Sequence, residues 1–352
     1  MTRSWRPGPS GLLASTQAGG SLALASTAWM VSGLTPSPLL NSLLPALGAL
    51  PLLLGIHRTP KGYGLQLTAV LLLIGVSVGG AWMAFDPSLL LVGCFAAVLL
   101  FGLGQEISTL PLQRRLLSKG VSSMQGLRRG QDVGALVGNL LAALLVPGLR
   151  QFLPALLLLL PMTRVAAERP IDQQAERPST QTKRLPLDPT CMLQGLVIGA
   201  LFALLALWVR QIDGGKCFDF AMVLAAYGLG RTGMALLPGM HQTLRYLLIG
   251  ALLLISQASL PPVLAVLLFL PIGALVAASD GALVDQLMHL GDAPLRWQIL
   301  FRSSAIGGVV GSLGLGLICQ LLSLSIALPL VMAGFLLLAA TQFRTTPASP
   351  QP

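Results

Sequence analysis

Two carboxylates stand inside long apolar runs, Glu106 in Leu-Phe-Gly-Leu-Gly-Gln-Glu and Asp280 in Leu-Val-Ala-Ala-Ser-Asp. An acidic side chain within a membrane-spanning helix costs about 2.5–3.5 kcal/mol on insertion scales and faces a protein interior or a water-filled cavity. Two chemistries fit such a group. It takes and releases a proton or cation, or it forms a structural ion pair with an arginine such as Arg128 or Arg302. Asp132 and Asp219 fall at helix starts and Asp285 toward a helix end, which leaves Glu106 and Asp280 as the pair for proton or ion coupling. Gly75-Val-Ser77-Val-Gly79 matches the spacing of a nucleophile elbow, but that elbow needs a strand-to-helix turn and a histidine base. Ser77 sits in an apolar run, and His57, His241 and His289 fall in loops, so the sequence does not read as an enzyme. No His-Glu-x-x-His, Walker-type glycine loop or Cys-x-x-Cys occurs, so no metal and no cofactor are expected. Cys94, Cys191, Cys217 and Cys319 read as small packing residues.

The elements that must hold these carboxylates are set by composition. Only 10% of the 352 residues are charged, 54% are hydrophobic, and the mean hydropathy is +0.78. Soluble domains carry about 25% charged residues. A soluble enzyme, a nucleic-acid-binding domain and a disordered chain are excluded, and an all-α polytopic membrane protein remains. A spanning helix needs roughly 20 apolar residues. Twelve segments qualify: 10–34, 39–56, 63–85, 88–110, 133–149, 152–167, 190–209, 218–236, 244–260, 263–287, 303–324 and 325–340. The first imitates a signal peptide but is read as a retained helix.

Between the sixth and seventh segments the composition changes. Residues 164–188 carry five basic residues, four acidic residues and three prolines, including Ala-Glu-Arg-Pro twice. This is linker composition. It divides the chain into an N-terminal six-helix bundle (1–163), a cytoplasmic linker (164–188) and a C-terminal six-helix bundle (189–352). With the N-terminus in the cytoplasm, 19 of the 22 Lys and Arg residues fall on the cytoplasmic side and Arg150, Arg210 and Lys216 on the other. That positive-inside pattern explains the net charge of +10 as topology and places both termini in the cytoplasm of a cytoplasmic (inner) membrane protein. Nucleic acid is not needed as a partner; the lipid bilayer is.

The halves echo each other. Gly55-Ile-His-Arg58-Thr recurs as Gly228-Leu-Gly-Arg231-Thr at an offset of 173, and Glu106 and Arg128 recur as Asp280 and Arg302 at 174. Gln113 and Gln286 match at 173, and a glycine-rich helix follows in each half, with Gly134 and Gly138 in one and Gly307, Gly308 and Gly311 in the other. A duplicated six-helix unit, with substrate bound between the copies, is a recurring transporter construction.

On these features the chain resembles the major facilitator superfamily: twelve helices in two pseudo-symmetric bundles of six, cytoplasmic termini and a long central loop. Gly55, Arg58, Lys61 and Gly62 look like a degenerate version of its loop motif after the second helix, without the acidic residue. Gly228, Arg231 and Gly233 look like the second-half copy. The fifth-helix Gly-Pro motif of its drug antiporters is absent; Asn139 follows Gly138. The resemblance implies a secondary transporter of a small solute, working by alternating access, as a monomer. It implies that Gln17, Ser21, Gln105, Asn139, Gln194 and Ser279 line the central cavity. Arg58, Lys61, Arg128, Arg231 and Arg302, together with Arg114 and Arg115, are the candidates for a gate or charge latch on the cytoplasmic face. A non-transporting protein of the same fold, such as a pigment- or lipid-handling assembly factor, is the alternative. Trp29, Trp82 and Trp208 read as an interfacial aromatic belt.

Overall fold

The computed structural model describes residues 9–54, 62–83, 85–118, 120, 123–145, 147, 149–168, 186–211, 214–233, 239–257 and 261–345. The described residues form twelve helices and no strand. In the first half they are α1 (Pro9–Leu34), α2 (Pro38–Leu54), α3 (Gly62–Trp82), α4 (Pro87–Ser118), α5 (Met124–Leu144) and α6 (Leu149–Glu168). In the second they are α7 (Pro189–Gln211), α8 (Cys217–Thr232), α9 (Gln242–Ser256), α10 (Pro262–Gln286), α11 (Ala293–Leu321) and α12 (Ala327–Thr345). Six of them, α3, α4, α7, α10, α11 and α12, are long and apolar enough to cross a membrane by length and composition alone. Proline at the first helical turn starts α4, α7 and α10. Asp86 and Asp188 cap two of these by accepting 2.7 Å hydrogen bonds from the Ser88 and Cys191 backbone N–H groups. The Asp86 carboxyl, in solvent, is held below the usual carboxylate range by those Ser88 donors.

The helix count matches the sequence reading, but several ends move. α5 starts at Met124, not 133, and α11 at Ala293, not 303. Their first three turns carry Arg128, Arg129, Asp132, Arg296 and Arg302, which depress the apolar signal although the helix continues. Asp132 therefore lies two turns inside α5 rather than at its start. Arg128 and Arg302 are helical residues, not loop residues.

The two halves pack alike. In the first, α5 crosses α1 so closely that a Cβ on Gly134 or Gly138 would stand 2.3 Å from the carbonyl oxygen of Ala14 or Ala18. In the second, α11 crosses α7 in the same way, with Gly307 and Gly311 against the carbonyls of Met192 and Leu196. A second matched pair joins α2 to α4 at Gly48 and Gly102, and α8 to α10 at Tyr227 and Gly273. Close backbone approach through small residues drives helix association where lipid removes the hydrophobic drive. The glycines of the two glycine-rich helices are thus packing positions.

The halves meet along two seams, α5 with α8 and α2 with α11. Gly228 lies over Leu136 in the first, and Gly316 over Ser42 in the second. Of the tryptophans read as an aromatic belt, Trp82 is exposed, whereas Trp29 is buried between the halves and Trp208 packs against the core. All four cysteines are buried and free.

Candidate functional site

At the end of the bundle where the arginines gather, four charged side chains from three helices form one cluster. Asp280 lies on α10, six residues before its end; Arg128 and Asp132 lie one turn apart on α5; Arg231 lies near the end of α8. One oxygen of Asp280, Oδ2, accepts from both guanidinium groups, 2.5 Å from Arg128 Nη2 and 3.1 Å from Arg231 Nη1. Arg231 Nε is 2.6 Å from Asp132 Oδ1. Two cations and two carboxylates alternate, so the cluster is neutral. α5 belongs to the first half and α8 and α10 to the second, so two of the three ion pairs cross between halves. The Arg231 guanidinium also lies 5.8 Å from the ring centroid of Tyr227 and 3.4 Å from its hydroxyl.

The other oxygen of Asp280 is held from within its own half. Gln194 on α7 donates from Nε2 to Oδ1. Its own Oε1 accepts from the Tyr246 hydroxyl at 2.6 Å. Tyr246 accepts from Gln242 at 3.0 Å, and Gln242 from Gln286 at 2.9 Å. Gln194 and Tyr246 are buried, and the chain of amides fixes the amide orientation that presents a donor to Asp280. Both oxygens of the carboxylate are thus satisfied, which is what a partly buried ion requires.

Glu106 is placed differently. It sits in a π-helical turn, Gln105–Thr109, that interrupts α4 where Gly104 presses against Gly62 of α3. Such an extra residue re-aims side chains and occurs often at functional sites. Gln66 of α3 donates to Ser108 and Thr109 on one side of the turn, at 3.3 and 3.1 Å. Glu106 is buried, and its Oε2 has no hydrogen-bond partner among the described residues. Arg114, two turns further along α4, and Arg302 of α11 are the cations whose charge reaches it. Arg302 also keeps a buried Nε without a partner among those residues.

The remaining sequence candidates divide. Gln17 and Ser21 lie on the α1 face that meets α5, 3.5 Å apart between Nε2 and Oγ. The Gln105 amide lies beside Gly20 of the same helix. Asn139 crosses to the second half, donating to the Leu224 carbonyl at 3.3 Å. Ser279 donates to the Leu275 carbonyl of its own helix and also meets the Tyr246 hydroxyl, and Gln194 belongs to the Asp280 network. Arg58 and Lys61 lie outside the described residues. The structure therefore brings Asp280, Arg128, Arg231 and Gln194 together and leaves Glu106 and Arg302 unjoined. Sequence reasoning missed Asp132, Tyr227, Tyr246 and Gln242. Asp132 was legible as the acid one helical turn after Arg128; the tyrosines and Gln242 carry no local signal.

Solved structures share this fold. A mutant form of the nucleoside transporter NupG superposes with a TM-score of 0.65 over 95% of this chain and 98% of its own, at 13% identity. The D-xylose–proton symporter gives 0.61 over 97% of each chain, also at 13%. The human organic anion transporter MFSD10 gives 0.54 over 96% of this chain and all of its own, at 15%. The chain has the major facilitator fold. In that fold it is an integral, multi-pass membrane protein with two pseudo-symmetric bundles of six helices. No family model and no curated protein matches the sequence.

Proposed function

We propose that the chain is a secondary transporter that moves a small solute across the cytoplasmic membrane by alternating access, coupled to protons. The observation that carries this reading is Asp280, a carboxylate of one half held by Arg128 of the other. Contacts of this kind must break for the halves to rock apart, and breaking them exposes groups that water then solvates. The nucleoside, D-xylose–proton and organic anion transporters of the same fold support solute transport as the general task.

In this reading residues 1–163 and 189–352 are the two moving bodies and 164–188 the linker, with the basic end and both termini in the cytoplasm. Arg128, Arg231 and Asp132 close the cytoplasmic face on Asp280. The repeat offset maps Asp280 onto Glu106 and Arg128 onto Arg302, so Glu106 and Arg302 form the matching pair, unmade in this state. Arg58 and Lys61 add basic charge at the same face. Gln17, Ser21, Gln105 and Asn139 offer amide and hydroxyl contacts to the solute, with Gln194 and Ser279 opposite them. The unit is a monomer in the bilayer, and no step requires enzymatic chemistry.

The test is uptake into proteoliposomes across a panel of nucleosides, sugars and organic anions, with and without an inward proton gradient. Accumulation of one class driven by the gradient supports the reading. Flux of nothing in the panel, together with co-purified pigment or lipid or a stable partner protein, overturns it in favour of a non-transporting assembly factor. Reporter fusions at residue 175 and at the C-terminus must both report cytoplasm; an external signal from either overturns the orientation.

A further inference from the structure

At the end of the bundle opposite the arginine cluster, the halves meet through different chemistry. Arg210, near the end of α7, lays its guanidinium over the indole of Trp29 on α1, with Cζ 4.0 Å from the ring centroid. Its Nε donates to Ser32 Oγ at 3.1 Å and its Nη2 to the Trp29 carbonyl at 3.0 Å. Gly33 leaves room for this: a Cβ there would stand 3.2 Å from three guanidinium atoms. Phe220 of α8 packs on the same indole, its ring stacked with Trp29 at 5.9 Å and 22°. No carboxylate pairs with Arg210 among the described residues. Among the described residues, the acids of that end serve elsewhere, Asp86 capping α4 and Asp219 accepting from the Lys216 backbone N–H.

A guanidinium held by an indole face, a hydroxyl and a backbone carbonyl is a contact of Arg rather than of any cation. Its planarity and its forked donors are both used, and lysine supplies neither. Arg210 comes from the second half and Trp29, Ser32 and Gly33 from the first, so the contact holds only while that end is shut. The basic end is shut at the same time by the Asp280 cluster and, on the other seam, by Trp297 of α11, whose Nε1 donates to Gln113 of α4 at 3.1 Å. The molecule is therefore bridged at both ends, by ion pairs at one and by a π-stacked arginine at the other.

We propose that Arg210 and Trp29 form the gate of this opposite end, the counterpart of the carboxylate latch. This rests on the alternating-access reading, since only a molecule that opens by turns needs two gates. The two latches then compete: weakening one shifts the population toward states open at that end and shut at the other.

Pulsed spin-label distance measurements on the full chain in lipid nanodiscs test this without any solute, so a failed uptake panel leaves the test intact. With the buried cysteines replaced, labels at Ser88 and Phe218 report the opposite end, and labels at Ser118 and Met288 report the basic end; all four positions are exposed. Arg210→Gln and Trp29→Leu should lengthen the Ser88–Phe218 distance by several ångströms while the Ser118–Met288 distance stays or shortens. Arg210→Lys should behave like Arg210→Gln, and Trp29→Phe should fall between wild type and Trp29→Leu. Unchanged Ser88–Phe218 distances in both Arg210→Gln and Trp29→Leu overturn the gate. So does lengthening at both ends together, which marks a loosened fold. Should Arg210→Gln not be recovered in membranes, Ser32→Ala removes a single hydrogen bond from the same contact and must lengthen the same distance, to a lesser degree.

Discussion

Asp280 on α10 and Arg128 on α5 face each other across the two halves at 2.5 Å, and the same carboxylate oxygen also holds Arg231. The sequence offered Arg128 or Arg302 as the partner of such a carboxylate, without choosing between them. The structure pairs Asp280 with Arg128 of the other half, so the contact reports on the relative position of the bodies.

Removing one member of a partly buried ion pair leaves the other charge uncompensated, at a cost of about 3–5 kcal/mol. Asp280→Asn should therefore lower thermal stability clearly, because Arg128 and Arg231 are left with Asp132 as the one carboxylate between them. Arg128→Gln should cost less, since Arg231 still satisfies Asp280. The double variant should be more stable than the sum of the two losses, because the orphaned charge is gone. Thermal unfolding of the purified variants in one detergent decides this; additive losses would show that the pair does not interact in solution.

The glycines divide into two groups with opposite expected outcomes. A Cβ on Gly230 would stand 1.9 Å from the Leu270 carbonyl oxygen, and one on Gly273 2.0 Å from that of Tyr227. Either substitution to alanine must push α8 and α10 apart, and overpacking of this kind costs about 1–3 kcal/mol. Gly64, Gly75 and Gly314 have nothing within 4 Å of a built Cβ. Alanine there should be neutral or raise stability by up to about 1 kcal/mol through helix propensity. A melting-temperature series over the five variants checks the sign at each position.

The difference between legible and hidden features has a physical basis. Apolar length and loop charge are local properties, so all twelve helices could be counted from the sequence. The starts of α5 and α11 could not, because a helix end that leaves the apolar layer becomes amphipathic and the hydropathy window drops it. Asp280 was legible as a charge in an apolar run, and so was its need for an arginine. Which arginine was not, because that depends on how two six-helix bodies face each other. Trp29 shows the reverse failure: near a helix end and aromatic, it carries the marks of an interfacial residue, and only the position of Arg210 makes it an interior one.

Trp297 and Gln113 offer a test of the basic seam that involves no charge. The indole is fully buried, and its N–H donates across the halves to Gln113 Oε1 at 3.1 Å. Gln113→Leu leaves that donor unsatisfied, at a cost of about 1–3 kcal/mol. Combining it with Trp297→Phe removes both polar groups and should recover part of the loss. Unfolding midpoints of the two single variants and the double variant check this; no recovery in the double variant would mean that packing of the indole, not its hydrogen bond, holds the seam.

Glu106 and Asp280 occupy equivalent places in the repeat but not equivalent environments, and their neutral variants should separate. Asp280 is saturated by two guanidinium groups and the Gln194 amide. Glu106 keeps a buried oxygen without a partner among the described residues, in a π-turn that interrupts α4. An ionised carboxylate with an unsatisfied buried oxygen is costly, and protonation removes the charge. In the proposed alternating-access cycle such a group is the one placed to exchange its proton when the bundle opens to water. Glu106→Gln should therefore abolish accumulation driven by a pH gradient while solute exchange down its own gradient continues, with little loss of thermal stability. Asp280→Asn should instead lower thermal stability and, in the proposed cycle, impair both modes, because the latch would serve every turn of it. The two assays in the same proteoliposomes distinguish the outcomes. Full proton-driven accumulation by Glu106→Gln would remove it from coupling and leave it as the unmade partner of Arg302.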